Sequence, residues 1–146
     1  MIRPATVETL GTLTTLARKF YASSAFLGQL DESSWVGMWR DILTADVGVI
    51  FVASDDVQPI GAIGGIVHKD PTTGRMTASE MFWFVQPESR GIGVTLYRSF
   101  EEWARQRHCV DIRMVHLSDS MPVKIKAFYE AIGYREVETH YVKELK

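Results

Sequence analysis

One passage constrains this chain more than any other: Phe82-Trp83-Phe84-Val85-Gln86-Pro87-Glu88-Ser89-Arg90-Gly91-Ile92-Gly93-Val94-Thr95-Leu96. It opens as an apolar strand, turns through two glycines and closes as the start of an amphipathic helix. Glycines placed just ahead of a helix let the backbone turn tightly and bare several amide hydrogens, which point with the positive helix end at an anion. A diphosphate suits such a cradle. Arg90 is drawn to phosphate and Glu88 repelled by it, so Arg90 is expected beside the anion and Glu88 turned outward. The backbone donors are expected from Arg90, Gly91, Ile92, Gly93, Val94 and Thr95. Spacing alone fits plain turn chemistry more often than a ligand site, so the surrounding elements must decide.

Those elements follow from hydrophobic period. Met1 to Ala5 reads as a short strand, and Thr6 caps a helix carrying Val7, Leu10, Leu13, Ala17 and Phe20 at helical spacing. Ser33 or Ser34 caps a second helix with Trp35, Met38, Trp39, Ile42 and Leu43 on one side. Gly48 to Ser54 and Ile60 to His68 form a hairpin across Asp55-Asp56-Val57-Gln58-Pro59, and Thr77 to Val85 is a third strand after Asp70 to Gly74. From Val94 the period is helical again, with Leu96, Tyr97, Phe100, Trp103 and Ala104 inside and an end near His108. Asp111 to Leu117 is a strand, Pro122 to Ile132 a helix with Gly133 as its left-handed cap, and Tyr134 to Glu138 and Tyr141 to Leu145 are two last strands. This order predicts an α+β layer of helices on a mixed sheet.

At 146 residues, with no repeat, low-complexity tract or linker, the chain is expected to be a single domain over residues 1–146. Sixteen basic against eighteen acidic side chains leave a net charge of −2, which argues against nucleic acid or anionic membrane as a partner. The single cysteine, Cys109, excludes an internal disulfide framework, and the start at Met1 has no basic and apolar leader, so a cytoplasmic location is expected. No pair of histidines, cysteines or carboxylates has metal-ligand spacing, so no metal is expected. Cys109 reads as an inert packed thiol.

The passage from Val85 to Thr95 resembles the acetyl-CoA-binding motif of the GNAT N-acetyltransferase superfamily, Val-x-Pro-x-x-Arg-Gly-x-Gly-x-Gly/Ala followed by an amphipathic helix. Two registers stand open. Read from the strand, Val85 to Gly91 fits the first half and Gly93 and Thr95 take the last two small positions; read back from the helix, Gly91-Ile92-Gly93 takes them and Glu88 replaces the arginine. Ala127-Phe128-Tyr129-Glu130-Ala131-Ile132-Gly133-Tyr134 is similar to the family's late signature, and the element order is also that family's. The resemblance implies a mixed, mostly antiparallel sheet of about seven strands flanked by about four helices and splayed between strands 4 and 5. It implies transfer of an acetyl group from acetyl-CoA to a primary amine of a small molecule or peptide. Pantetheine would pair with the backbone of Phe84 and Val85, and a backbone N–H near Val85 would meet the oxyanion.

The resemblance further implies Tyr129 as the acid that protonates the departing thiolate, a role suited to a phenol of pKa about 10; without it, Tyr129 reads as a core aromatic on the side of Ile125 and Ile132. Pro122 stands where many members carry an asparagine, which leaves Ser118 or Ser120 to supply that polar contact. Aminolysis needs a neutral amine, hence a base. Glu80, alone among Met81, Phe82, Trp83 and Phe84, is that base if buried and ordinary surface polarity if solvated. His116 is a substitute base or a structural histidine. The first two helices and their loop, with Phe20, Tyr21, Phe26, Trp35, Trp39, Asp31 and Glu32, would shape the acceptor site, the acidic pair favouring a cationic amine.

Two other readings compete. Glu88 and Pro122, as departures from the pattern, keep open a degenerate domain that binds acyl-CoA or a protein partner without turnover. A nucleotide-binding fold ranks last, because there is no Gly-x-x-x-x-Gly-Lys-Ser/Thr stretch and no alternating βαβ series. The acceptor amine, the acyl chain length and the oligomeric state, a homodimer included, are not fixed by the sequence. Replacing Gly93 with a bulky β-branched residue is expected to abolish coenzyme A binding without unfolding the domain. Calorimetry checks this, and an unchanged affinity contradicts it.

Overall fold

A computed structural model describes residues 1–22, 29–116 and 122–145, with the backbone alone at 90, 122 and 123. The chain falls into two units, Met1–Val115 and His116–Lys146. Phe26, Ser118 and Ser120, named above, lie outside the described residues.

The first unit holds five strands, β1 (Ile2–Pro4), β2 (Gly48–Ser54), β3 (Pro59–Lys69), β4 (Met76–Val85) and β5 (Asp111–Arg113), and three helices, α1 (Thr14–Ala22), α2 (Glu32–Thr44) and α3 (Gly93–Gln106). The strands lie in the order β1-β2-β3-β4-β5. The first four pair antiparallel and β5 pairs parallel to β4, which makes the sheet mixed. Val7–Leu13 is a 3-10 segment rather than the first turns of an α-helix. Its threonines explain the tighter winding: the hydroxyls of Thr9, Thr12 and Thr14 donate to the carbonyls of Thr6, Thr9 and Gly11, three residues back, at 3.1, 2.7 and 2.9 Å. The cap of α2 is Asp31, not Ser33 or Ser34; its Oδ1 accepts from the Ser34 N–H at 2.9 Å and the Ser33 hydroxyl at 3.0 Å.

Two apolar layers meet the sheet, one on each face. On one, Val49, Ala53, Ile63, Val67 and Ala78 pack with Leu96, Phe100 and Ala104 of α3. On the other, Phe82 is ringed by Phe20, Trp35 and Trp39 at centroid distances of 6.4, 6.1 and 5.6 Å. The consecutive glycines of β3 make room for both. A Cβ on Gly64 would strike the Phe82 ring and come within 3.0 Å of Trp39, and one on Gly65 would lie 2.5 Å from the Phe100 ring and 2.6 Å from the Ser79 carbonyl oxygen.

The second unit contains α4 (Pro122–Ala131) and its exit. Gly133 takes φ +96°, its N–H bonding to the Glu130 carbonyl at 3.2 Å and the Tyr134 N–H to the Tyr129 carbonyl at 2.9 Å. This is a Schellman cap, completed by the Tyr129 and Tyr134 rings 5.4 Å apart. The expectation of about seven strands is corrected here to five among the described residues. Residues 134–145 carry no strand, and Val137, Tyr141, Val142 and Leu145 are 67 to 93 % exposed. Their alternation is strand-like, but a strand forms only against a neighbour that takes up its backbone groups, and among the described residues this segment has none.

Gly65→Ala is expected to lower stability by about 1–3 kcal/mol through overpacking, whereas Gly11→Ala, with open space around its Cβ position, is expected to be neutral or stabilising by up to about 1 kcal/mol. Thermal and urea unfolding of the two variants checks the contrast.

Candidate functional site

Both edges of β4 lose register at one residue. Toward β3, Gly65 pairs with Glu80 and Gly64 with Phe82, so Met81 bulges out between them. Toward β5, pairing covers Thr77, Ala78 and Ser79 and ends there, although β4 runs on to Val85. Glu80 is therefore the residue at which a doubly paired strand becomes a singly paired one. Its side chain is 7 % exposed. The Val115 N–H donates to the carboxylate, while Oε2 has no hydrogen-bond partner among the described residues. Burial pushes the Glu80 pKa from the usual 4.5 up to about 8, with the Val115 N–H partly opposing the rise.

A narrow apolar gap lies over Phe82, two residues along β4 from Glu80. Its helical wall is Leu13, Leu16, Ala17, Phe20 and Tyr21, with Trp35 from α2. Its floor is Ala62 of β3 and Phe82 and Phe84 of β4. Burial raises the Tyr21 phenol above its usual pKa of 10, the nearby Trp35 indole N–H partly offsets this, and the Glu80 charge adds to the rise. Phe20, Tyr21 and Trp35 all line this gap. Trp39 is instead buried beneath Phe82. The acidic pair expected there is committed elsewhere, Asp31 to the α2 cap and Glu32 to an ion pair with Arg18.

Residues after β4 wind into a 3-10 segment, Pro87–Ile92, kinked at Ser89 (φ −118°, ψ 16°), and α3 follows directly from Gly93. Among the described residues, no side chain caps α3. Gly91 is exposed, with open space at its Cβ position, while a Cβ on Gly93 would meet Trp83 and Val85 at 3.6 Å, ordinary contact. Phe84 and Val85 are half-buried and end the singly paired stretch of β4; Ile92 is half-buried, and Val94 and Thr95 are exposed on the first turn of α3. Gln86, which sequence reasoning passed over, is buried; its amide donates to Glu88 Oε1 at 2.8 Å and accepts from Lys19 Nζ at 3.2 Å. The signal available was a lone polar residue between an apolar strand and a proline.

Tyr129, in the second unit, is buried and packs on Phe128 and Tyr134. His116 is exposed. His68 Nε2 lies 2.8 Å from the Ser79 hydroxyl, a structural pairing along the sheet. Burial pushes the Cys109 thiol up, away from the reactive thiolate.

The acetyltransferase (GNAT) family model matches residues 14–134. The chain belongs to the GNAT acetyltransferase family. No curated protein matches it. Its fold is that of solved GNAT structures. A predicted acetyltransferase with acetyl-CoA from Clostridium acetobutylicum aligns with TM-score 0.80 at 16 % identity, over 99 % of this chain and 95 % of that one. An aminoglycoside 6'-N-acetyltransferase from Acinetobacter haemolyticus aligns with TM-score 0.73 at 22 % identity, over 100 % and 99 %. A ribosomal-protein-alanine N-acetyltransferase from Brucella melitensis aligns with TM-score 0.74 at 15 % identity, over 99 % of each chain. Among the described residues of this GNAT chain, no helix is long and apolar enough to cross a membrane, and no three His, Cys, Asp or Glu side chains converge.

A buried acid whose folded pKa exceeds its unfolded one binds a proton that the unfolded chain has released, so it costs stability as pH rises from about 4.5 toward about 8. Glu80→Gln removes this dependence. The melting temperature of the variant minus that of the wild type is expected to grow across that interval, measured by a pH series of thermal melts; a constant difference contradicts the assignment.

Proposed function

We propose that this GNAT chain is an N-acetyltransferase that moves the acetyl group of acetyl-CoA directly to a primary amine of a small molecule or peptide. The observation that carries the reading is Glu80, a buried carboxylate with one oxygen unpartnered among the described residues, at the point where β4 and β5 stop pairing. Backbone groups of Phe84 and Val85 on the edge that β5 leaves have the hydrogen-bonding capacity to take pantetheine as an added strand. The diphosphate is assigned to the start of α3, with backbone donors among Arg90, Gly91, Ile92, Gly93, Val94 and Thr95. The family match runs from residue 14 to 134, through both units, which supports reading them as one domain.

In this reading Glu80 accepts a proton from the amine, directly or through a water, as the nitrogen attacks the thioester carbon. The C–N bond forms, a backbone N–H near Val85 meets the oxyanion, and the C–S bond breaks. Tyr129 gives its phenolic proton to the departing sulfur. Amide and free coenzyme A thiol are the products, and positioning supplies much of the acceleration. Cytoplasmic location and a homodimeric assembly fit this reading.

A base with a pKa of about 8 makes kcat/KM rise with pH and level off above that value. Glu80→Gln is expected to lower kcat by about 10²–10⁴-fold and remove that limb, and Tyr129→Phe to lower kcat with little change in KM. Thiol release from acetyl-CoA over a pH series checks both. Tight acetyl-CoA binding with no thiol release on any amine would instead favour a binding module.

A further inference from the structure

We infer that Gln86 is a positioning residue for the phosphates of coenzyme A: its side-chain amide joins the Glu88 carboxylate to the Lys19 ammonium of α1, and the balanced pair lets a diphosphate sit at the start of α3. The inference rests on the acetyltransferase reading above, which assigns the diphosphate to that place, and adds to it a residue that acts through its neighbours. Gln86 stands where β4 ends and the 3-10 segment Pro87–Ile92 begins. Each of its four hydrogen-bonding groups meets a different residue. The backbone N–H donates to the Ile60 carbonyl of β3 at 2.9 Å, and the backbone carbonyl accepts from the Ser89 N–H at 2.9 Å, closing the first turn of the segment. The side-chain N–H donates to Glu88 Oε1 at 2.8 Å, and the side-chain oxygen accepts from Lys19 Nζ at 3.2 Å.

An amide has a donor end and an acceptor end, so it suits a place between a carboxylate and an ammonium. Hydrogen bonds to charged partners are the stronger kind, and here one buried side chain, 6 % exposed, holds two charged ones. The consequence falls on the loop. Glu88 belongs to the segment that leads into α3, and a carboxylate free to turn toward a diphosphate repels it. Tied to the Gln86 amide, it stays in one place with a positive charge across from it. That accounts for an acid in a turn assigned to phosphates. Glu88 is exposed, so solvent screens its charge and the expected effect is a few-fold change in affinity rather than loss of binding.

The test is calorimetric affinity for coenzyme A, which needs no acceptor. Gln86→Leu keeps the buried volume and removes both ends of the amide. It is expected to weaken binding on the order of fivefold at about 20 mM sodium chloride, and by less than about twofold at about 500 mM, because salt screens a charge repulsion. Adding Glu88→Gln to Gln86→Leu is expected to restore most of the lost affinity, and Glu88→Gln alone to bind at least as tightly as the wild type. Lys19→Met, at an exposed position of α1, breaks the same chain of contacts if Gln86→Leu does not fold, with the same expected loss and the same repair. A loss that either high salt or Glu88→Gln leaves unrepaired means that Gln86 only shapes the turn, and overturns the inference. Unchanged affinity in the folded variant overturns it too. Both outcomes leave the acetyltransferase reading standing, whereas no heat of binding with the wild type overturns the assignment of the diphosphate along with the inference.

Discussion

The unequal pairing of β4 is the constraint on which the rest of the molecule turns. A central strand normally has both edges engaged, because buried backbone groups without partners are costly. Here both edges are engaged only as far as Ser79; β5 then ends, and the partner on the other side is offset by the bulge at Met81. A bulge at such a place re-aims side chains and raises local twist. The Glu80 carboxylate sits at that discontinuity, buried, with the Val115 N–H as its one donor among the described residues. A half-satisfied buried acid destabilises a fold, so the apolar layers around it must offset its cost.

Those layers depend on the Gly64-Gly65 step. Adjacent residues of a strand face opposite sides, so two successive glycines thin the sheet on both faces at the same level. Phe82 and Trp39 close on one side and Phe100 on the other. The aromatic side continues into the gap that Tyr21, Trp35 and Phe84 line. The rings of Phe20, Trp35, Trp39 and Phe82 are therefore one continuous aromatic layer, and a substitution at one end is felt at the other.

Much of this was legible in the amino-acid order. The hairpins, the amphipathic α3 and the turn after β4 follow from period and turn chemistry, and the first four strands lie within one residue of expectation at each end, whereas the strand expected from Asp111 to Leu117 ends at Arg113. The misses have physical causes. Asp31 outcompetes the serines after it because one carboxylate oxygen accepts from both. The segment after Gly133 alternates like a strand, yet its first residue is drawn back onto α4 by the Schellman cap, and pattern cannot supply a neighbouring strand. Glu80 was open between base and surface because burial of a residue beside a bulge depends on where β5 ends, which no local pattern encodes. The winding of the glycine turn, a 3-10 segment from Pro87 to Ile92 kinked at Ser89, is set by contacts that the motif does not encode.

The protonation of Glu80 tests the account most directly. Carboxyl-labelled glutamate, assigned by comparison with Glu80→Gln, can be titrated by carbon NMR in the ligand-free protein. A glutamate resonance that titrates near pH 8 and is missing from the variant is predicted. Titration of that resonance in the ordinary glutamate range, near 4.5, would mean a solvated side chain, and the buried base at the parting of β4 and β5 would be contradicted.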